Sequence, residues 1–378
     1  MGTNHHIQPM FTMDSNAVIE STRGLVSFYE PLSSLINDQS IWGRLEHYCN
    51  NLVHYPVVMT ALSRLHANSI IDFEKGLFCG LLSVLVGEQL KLEPARTRAL
   101  YYAGITQDVG TYMDDFRVAD YFSSVQGRIK PKVHSVGTLE RKRSHALVSY
   151  SLLEEAFPDD PLVSELVLHH HASEDGTGYP SNVGEAQLNT EMQILIVANE
   201  VCDTLHQKGG FEELFSCRSA LKLASTMYFK EVNGAFYSLF QKASERCSLD
   251  SAIPVDARKL SLQVEALRDF SEAAIALSAG LVEFEHFSAS RLFRAKLRKL
   301  DLLMGETGLL FSSDDTCQHE AAHCMQALPE FLMPLSKVLN DVSRLLPVEQ
   351  KQSCGELKIK LKYLLSLLHK PKAFSLFV

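Results

Sequence analysis

At 378 residues with 46% apolar side chains, the chain is long enough for two domains or slightly more, each with a real core. Its net charge of −9 and lack of a long basic run exclude a non-specific nucleic-acid binder. The longest apolar run, Leu77 to Gly87, is too short to span a bilayer. No basic stretch followed by an apolar core opens the chain, so no secretion signal is expected. Eight cysteines without a CxxC pair or regular spacing fit the reduced, mostly buried thiols of a cytoplasmic protein.

No run of strict apolar alternation occurs, and the expected fold class is all-α. Residues 1–15 are a polar tail, which makes His5 and His6 poor ligand candidates. From Ala17 to about Ala67, apolar residues recur at helical spacing, punctuated by Pro31 and Pro56. Trp42, Leu45, Cys49 and Val53 fall near one stripe there and read as core. Phe73 to Leu92 is a strongly apolar helix, Pro94 opens the next, and Leu100 to Val109 is buried. Ser135 to Phe157 forms a helix that starts basic and stops at Pro158, and Pro161 to His170 forms another. Gln193 to Leu205 is apolar on one side, Lys208-Gly209-Gly210 breaks it, and a further helical stretch runs to about Ala243.

Beyond Ser248 the pattern changes. Leu260, Leu267, Ala274 and Leu281 recur every seven residues with Phe270 and Leu277 between them, a bundle or coiled-coil seam. That seam serves a homodimer or an intramolecular core equally well. Arg291 to Leu303 is amphipathic with a basic face, more in keeping with a solvated face than a membrane surface. Leu361, Leu364, Leu365 and Leu368 make a last apolar stripe. Three regions follow: an N-terminal helical segment over 1–59, a domain over 60–247 and a C-terminal helical bundle over 248–378.

Chemistry concentrates in HHHASEDGTGYP, from His169 to Pro180. Imidazoles delivered at a helix end and followed by a Gly-rich turn suit the ligand shell of a hydrolytic metal. The paired His170 and His171, the loop Asp175-Gly176-Thr177-Gly178-Tyr179-Pro180 and the helix Ile194 to Asn199 resemble the HD-GYP family of metal-dependent phosphodiesterases. His145 with Leu152-Leu153, and Ala103 to Gly110, resemble two further stretches of that family, so the resemblance spans about 60–245. It implies an HD-domain-type helical core, cyclic di-GMP as the substrate class and two or three metal ions.

The resemblance also shows where the sequence departs. The family's histidine of the His-Asp pair is Gln107, with Asp108 kept; the lysine that follows is Thr111; the final aspartate is Asn199; the first histidine aligns with Lys75. By resemblance, Lys75, Gln107 and Asn199 stand at the private ligand positions of one metal, whereas Asp108, His145 and His170 belong to its neighbour. The expected centre therefore holds one divalent ion, such as iron or manganese, through Asp108, His145, His170 and His171. Two ions are the upper limit, and none is expected if the network is purely structural, with Asp108 pairing to Lys75 or His145. Glu200 beside Asn199 is a substitute ligand if its helix turns slightly.

Two functions follow. One is a weakly active or inactive regulatory module of cyclic-di-GMP signalling whose loop around Tyr179 meets a GGDEF-domain protein. The other is an active phosphodiesterase in which Asp108 is catalytic.

A second pattern, His319-Glu320-Ala321-Ala322-His323, matches the HExxH of zinc peptidases, with Cys317 and Cys324 flanking it. At about 100° per residue the cysteines share one face and the histidines the other. With only Glu349 arguable as a third ligand, an exposed histidine pair on a bundle helix is the expectation.

Overall fold

The computed structural model describes residues 13–28, 39–113, 138–172, 188–208, 229–246, 256–284, 288–306 and 315–368, with 33, 36, 179 and 221. Among the described residues there are thirteen α-helices and no strand, as the absence of alternation predicts. Their contacts divide the chain into two units, Met1–Gly210 and Phe211–Val378.

The first unit is built on one helix. α1 (Ser15–Phe28), α2 (Gln39–Asn51) and α3 (Pro56–Asn68) lead to α4 (Ile70–Gln89). Ser69 caps α4 by accepting a hydrogen bond from the Asp72 amide, 3.2 Å. From Gly76 to Gly87 every residue of α4 is buried, so the helix is apolar all round and central. It ends with Lys91 at φ 57°, and the Leu92 and Lys91 amides donate to the Gly87 and Glu88 carbonyls at 2.9 and 3.0 Å. That double closure turns the chain back tightly enough for Pro94 to open α5 (Pro94–Thr106) antiparallel to α4.

The two helices touch backbone to backbone. A Cβ on Gly104 would stand 2.4 Å from the Gly80 Cα, and one on Gly76 would stand 3.1 Å from the Ile105 carbonyl oxygen. The glycines thus fix the spacing of α4 and α5. A short 3-10 turn, Val109–Tyr112, follows α5. α6 (Thr138–Ala156), α7 (Pro161–His169) and α8 (Thr190–Lys208) complete the unit, with α8 against α4 and α6 against α7.

The second unit contains α9 (Lys230–Arg246), α10 (Ala257–Ala279), α11 (Ser288–Glu306), α12 (Asp315–Leu345) and α13 (Val348–Leu368). Asp256 caps α10 by accepting from the Arg258 and Lys259 amides. The Gln263 side-chain amide donates to the Leu367 carbonyl at 2.9 Å, and Lys360 lies 3.8 Å from Asp269, so α10 and α13 run antiparallel. Leu260, Leu267, Phe270, Ala274, Leu277 and Leu281 are all buried together with Leu297, Leu332, Leu339, Leu361 and Leu364. The heptad seam is therefore an intramolecular core. Phe293, Leu297, Leu300 and Met304 form the buried stripe of α11.

One stripe differs from its expectation. Leu45 and Cys49 are buried, but Val53 is 62% exposed. α2 stops at Asn51 and a 3-10 turn, Leu52–His54, takes over, so the 3.6-residue period no longer carries Val53 inward. No helix among the described residues is long and apolar enough to cross a membrane.

Candidate metal centre

Two elements place the carboxylate. α5 ends at Thr106, and Gln107 and Asp108 carry the chain into the turn Val109–Tyr112. That turn presses on α6 at Gly110, where a Cβ would lie 2.4 Å from the His145 carbonyl oxygen. The Gly110 amide donates to the Ser149 hydroxyl at 2.9 Å, and that hydroxyl donates to the Gln107 carbonyl at 2.9 Å. Ser149 sits one helical turn after His145 on α6, so the clamp that holds the turn also brings Asp108 to His145. His145 Nε2 is 3.2 Å from Asp108 Oδ1.

The other imidazoles come from the end of α7. His170 is buried and its Nδ1–H donates to the Val167 carbonyl at 2.6 Å. This bond leaves the Nε2 lone pair pointing away from the backbone, 3.1 Å from His145 Nε2. His171 follows, its ring centroid 4.0 Å from that of His170 and 4.5 Å from that of Tyr179, which stacks on it at 23°. The Tyr179 amide donates to the His171 carbonyl at 3.1 Å. Donor atoms of Asp108, His145, His170 and His171 all lie within 4.8 Å of one another.

These donors fit a divalent ion. Two ligands on opposite sides of an ion stand about 4.2 Å apart, so a small inward movement completes the shell. Two of the imidazoles, those of His170 and His171, also favour the neutral form that ligation requires. Burial first, then the neighbouring His145, holds His170 well below its usual range. Burial first, then His170 and His145, pushes His171 down to about 2. His169, the first histidine of the run, is also lowered by burial but does not join the donor set.

Gln107, Asn199 and Lys75 lie beside the donors. The Gln107 amide donates to Asn199 Oδ1 at 2.9 Å and to Asp108 Oδ2 at 3.4 Å, and Cys79 Sγ donates to Gln107 Oε1 at 3.6 Å. Gln107 and Asn199 are both buried, and the bond between them satisfies the Asn199 oxygen. Lys75 Nζ is 2.6 Å from Asp203 Oδ1. Burial works against the Lys75 charge, but the carboxylates of Asp108 and Asp203 outweigh it and raise the ammonium above its ordinary range. Of the two partners expected for Asp108, His145 makes the contact, and Lys75 acts on it through charge while pairing with Asp203. Thr111 is exposed, its amide donating to the Asp108 carbonyl at 3.0 Å.

Glu200 is exposed and outside the donor set, because it lies one residue round α8 from the buried Asn199. Asp203, one turn beyond Asn199, is the acid that pairs with Lys75, and Cys79 and Ser149 complete the surroundings. The one-turn spacings from Asn199 to Asp203 and from His145 to Ser149 were visible in the sequence; their partners were not. Asp175, Gly176, Gly178 and Pro180 lie outside the described residues. So do the side chains of His319, Glu320, His323, Cys317 and Cys324, all on α12. The chain matches no family model, no curated protein and no solved structure.

Proposed function

We propose that this chain is a regulatory protein of cyclic-di-GMP signalling, built on a degenerate HD-GYP-like core that holds one divalent ion. One observation carries the reading. Asp108, His145, His170 and His171 come from separate parts of the chain to one place, while Gln107 and Asn199 bond to each other and Lys75 bonds to Asp203.

Asp108 supplies the one carboxylate donor and three imidazoles complete the set. A bound divalent ion lowers the pKa of a water and neutralises phosphate charge. A bridged pair of ions needs further anionic donors, and the neighbouring positions offer neutral amides and an ammonium instead. The Lys75 charge also opposes a second cation. Phosphodiesterase activity is accordingly weak or absent, and the loop around Tyr179 serves as the surface for a GGDEF-domain partner. The reduced thiols of Cys49, Cys79, Cys202 and Cys354 suit the cytoplasm.

An active phosphodiesterase acting on cyclic di-GMP or a related phosphoester is the second reading. It is favoured by the completeness of the Asp/His3 set, since one ion of this kind suffices to activate water.

Purified protein incubated with manganese or ferrous iron and cyclic di-GMP, with His170→Ala beside it, separates the two. Metal analysis is expected to give one ion per chain, with no turnover. Two tightly bound ions, or turnover abolished by His170→Ala, would overturn the regulatory reading.

A further inference from the structure

The four donors are not held in the same way. Asp108 rides on a turn clamped by Gly110 and Ser149, and His170 is fixed by its Nδ1–H bond to the Val167 carbonyl. His145 sits between Asp108 and His170. Among the described residues no hydrogen bond holds the His171 ring; its contacts are the rings of His170, His145 and Tyr179. The Tyr179 ring is the stacked one, at 4.5 Å and 23°. The same residue is tied back by its amide to the His171 carbonyl, so residue 179 closes on residue 171 through backbone and side chain together.

We infer that Tyr179 is a positioning residue of the metal centre, which sets the His171 imidazole as fourth donor and so couples its own stacking on His171 to metal affinity. The inference rests on the reading that Asp108, His145, His170 and His171 hold one ion. Physically, a ligand ring without a hydrogen-bonded second nitrogen has only packing to restrict its rotation, and an aromatic face stacked on it supplies that restriction. Linkage then works in both directions. Anything that draws Tyr179 away weakens the ion, and the ion in turn favours Tyr179 stacked on His171.

Cobalt(II) titration of the chelator-stripped full chain tests this, because the visible spectrum reports the donor set as well as the affinity. Tyr179→Ala is expected to weaken Co²⁺ about 10- to 100-fold and shift the spectrum. Tyr179→Phe keeps the stacked ring and is expected to bind like the wild type. Tyr179→Ala in a His171→Ala background is expected to cost nothing further, since the residue it positions is already gone.

Wild-type affinity and spectrum in Tyr179→Ala would overturn the inference alone, as would a full additional loss in the double variant. A wild-type chain that takes up no Co²⁺ would overturn it together with the reading it rests on.

Discussion

Gln107 and Asn199 show how neutral amides fill a buried polar position beside Asp108. The Gln107 amide donates to Asn199 Oδ1 at 2.9 Å, so the position is buried and polar without carrying charge. Gln107→Ala would leave Asn199 Oδ1 without that donor and should cost about 1–3 kcal/mol, readable as a shift in the denaturant midpoint. Lys75 acts oppositely, adding positive charge near Asp108. Lys75→Met should therefore tighten a single divalent ion by about fivefold at low ionic strength, less as salt is added. Calorimetric titration at two salt concentrations checks it, and weaker binding in the variant would refute the repulsion argument.

The histidines give a pH dependence with a definite sign. Burial holds His170 well below its ordinary range and His171 at about 2. The unfolded chain takes up these protons near pH 6.5, roughly the model-peptide value. With folded values depressed, the unfolded state binds more protons below that point, so stability is full above it and declines as pH falls. For metal-free protein the decline should approach about 1.4 kcal/mol per pH unit for each of the two histidines. His171→Gln should flatten the profile by one such contribution; identical slopes in variant and wild type would contradict the assignment.

At the scale of elements, glycines do different work according to what they face. Gly110 lets the turn that carries Asp108 press on α6, with backbone atoms of His145 and Ser149 at 2.4 and 2.7 Å from any added Cβ. Gly110→Ala should thus cost about 3 kcal/mol and weaken metal uptake together, because Asp108 and His145 are pushed apart. Gly355, inside α13, faces open space. Gly355→Ala should stabilise by about 0.5–1 kcal/mol by removing backbone freedom from the unfolded chain. Thermal unfolding of the pair, with metal titration of the first, checks both signs.

At the scale of the whole molecule, the donors all belong to Met1–Gly210, and the leucine-rich core of α10 to α13 belongs to Phe211–Val378. Phe270 is fully buried in that second core. Phe270→Ala should cost the second unit about 3–5 kcal/mol and leave metal affinity of the full chain unchanged. A parallel loss of metal uptake would show that the two cores are not independent in stability.

The sequence by itself determined that the chain is helical, that Phe73 to Leu92 is strongly apolar and that the imidazoles at the end of α7 are the place to look for chemistry. These follow from local periodicity, an unbroken apolar run and residue type, which need no knowledge of distant partners. Tertiary structure alone decided who meets whom. The Leu260–Leu281 seam suited a dimer or a bundle until α11, α12 and α13 covered it. Val53 fell off its stripe because a 3-10 turn interrupted the helix. Lys75 found Asp203 because α4 packs on α8, a pairing that spacing along either helix does not encode. HHHASEDGTGYP announced metal chemistry, but the reach of Asp108 to His145 depends on how close Gly110 lets two backbones come. Side-chain pattern is a property of one segment, whereas a ligand shell is a property of several segments folded against each other.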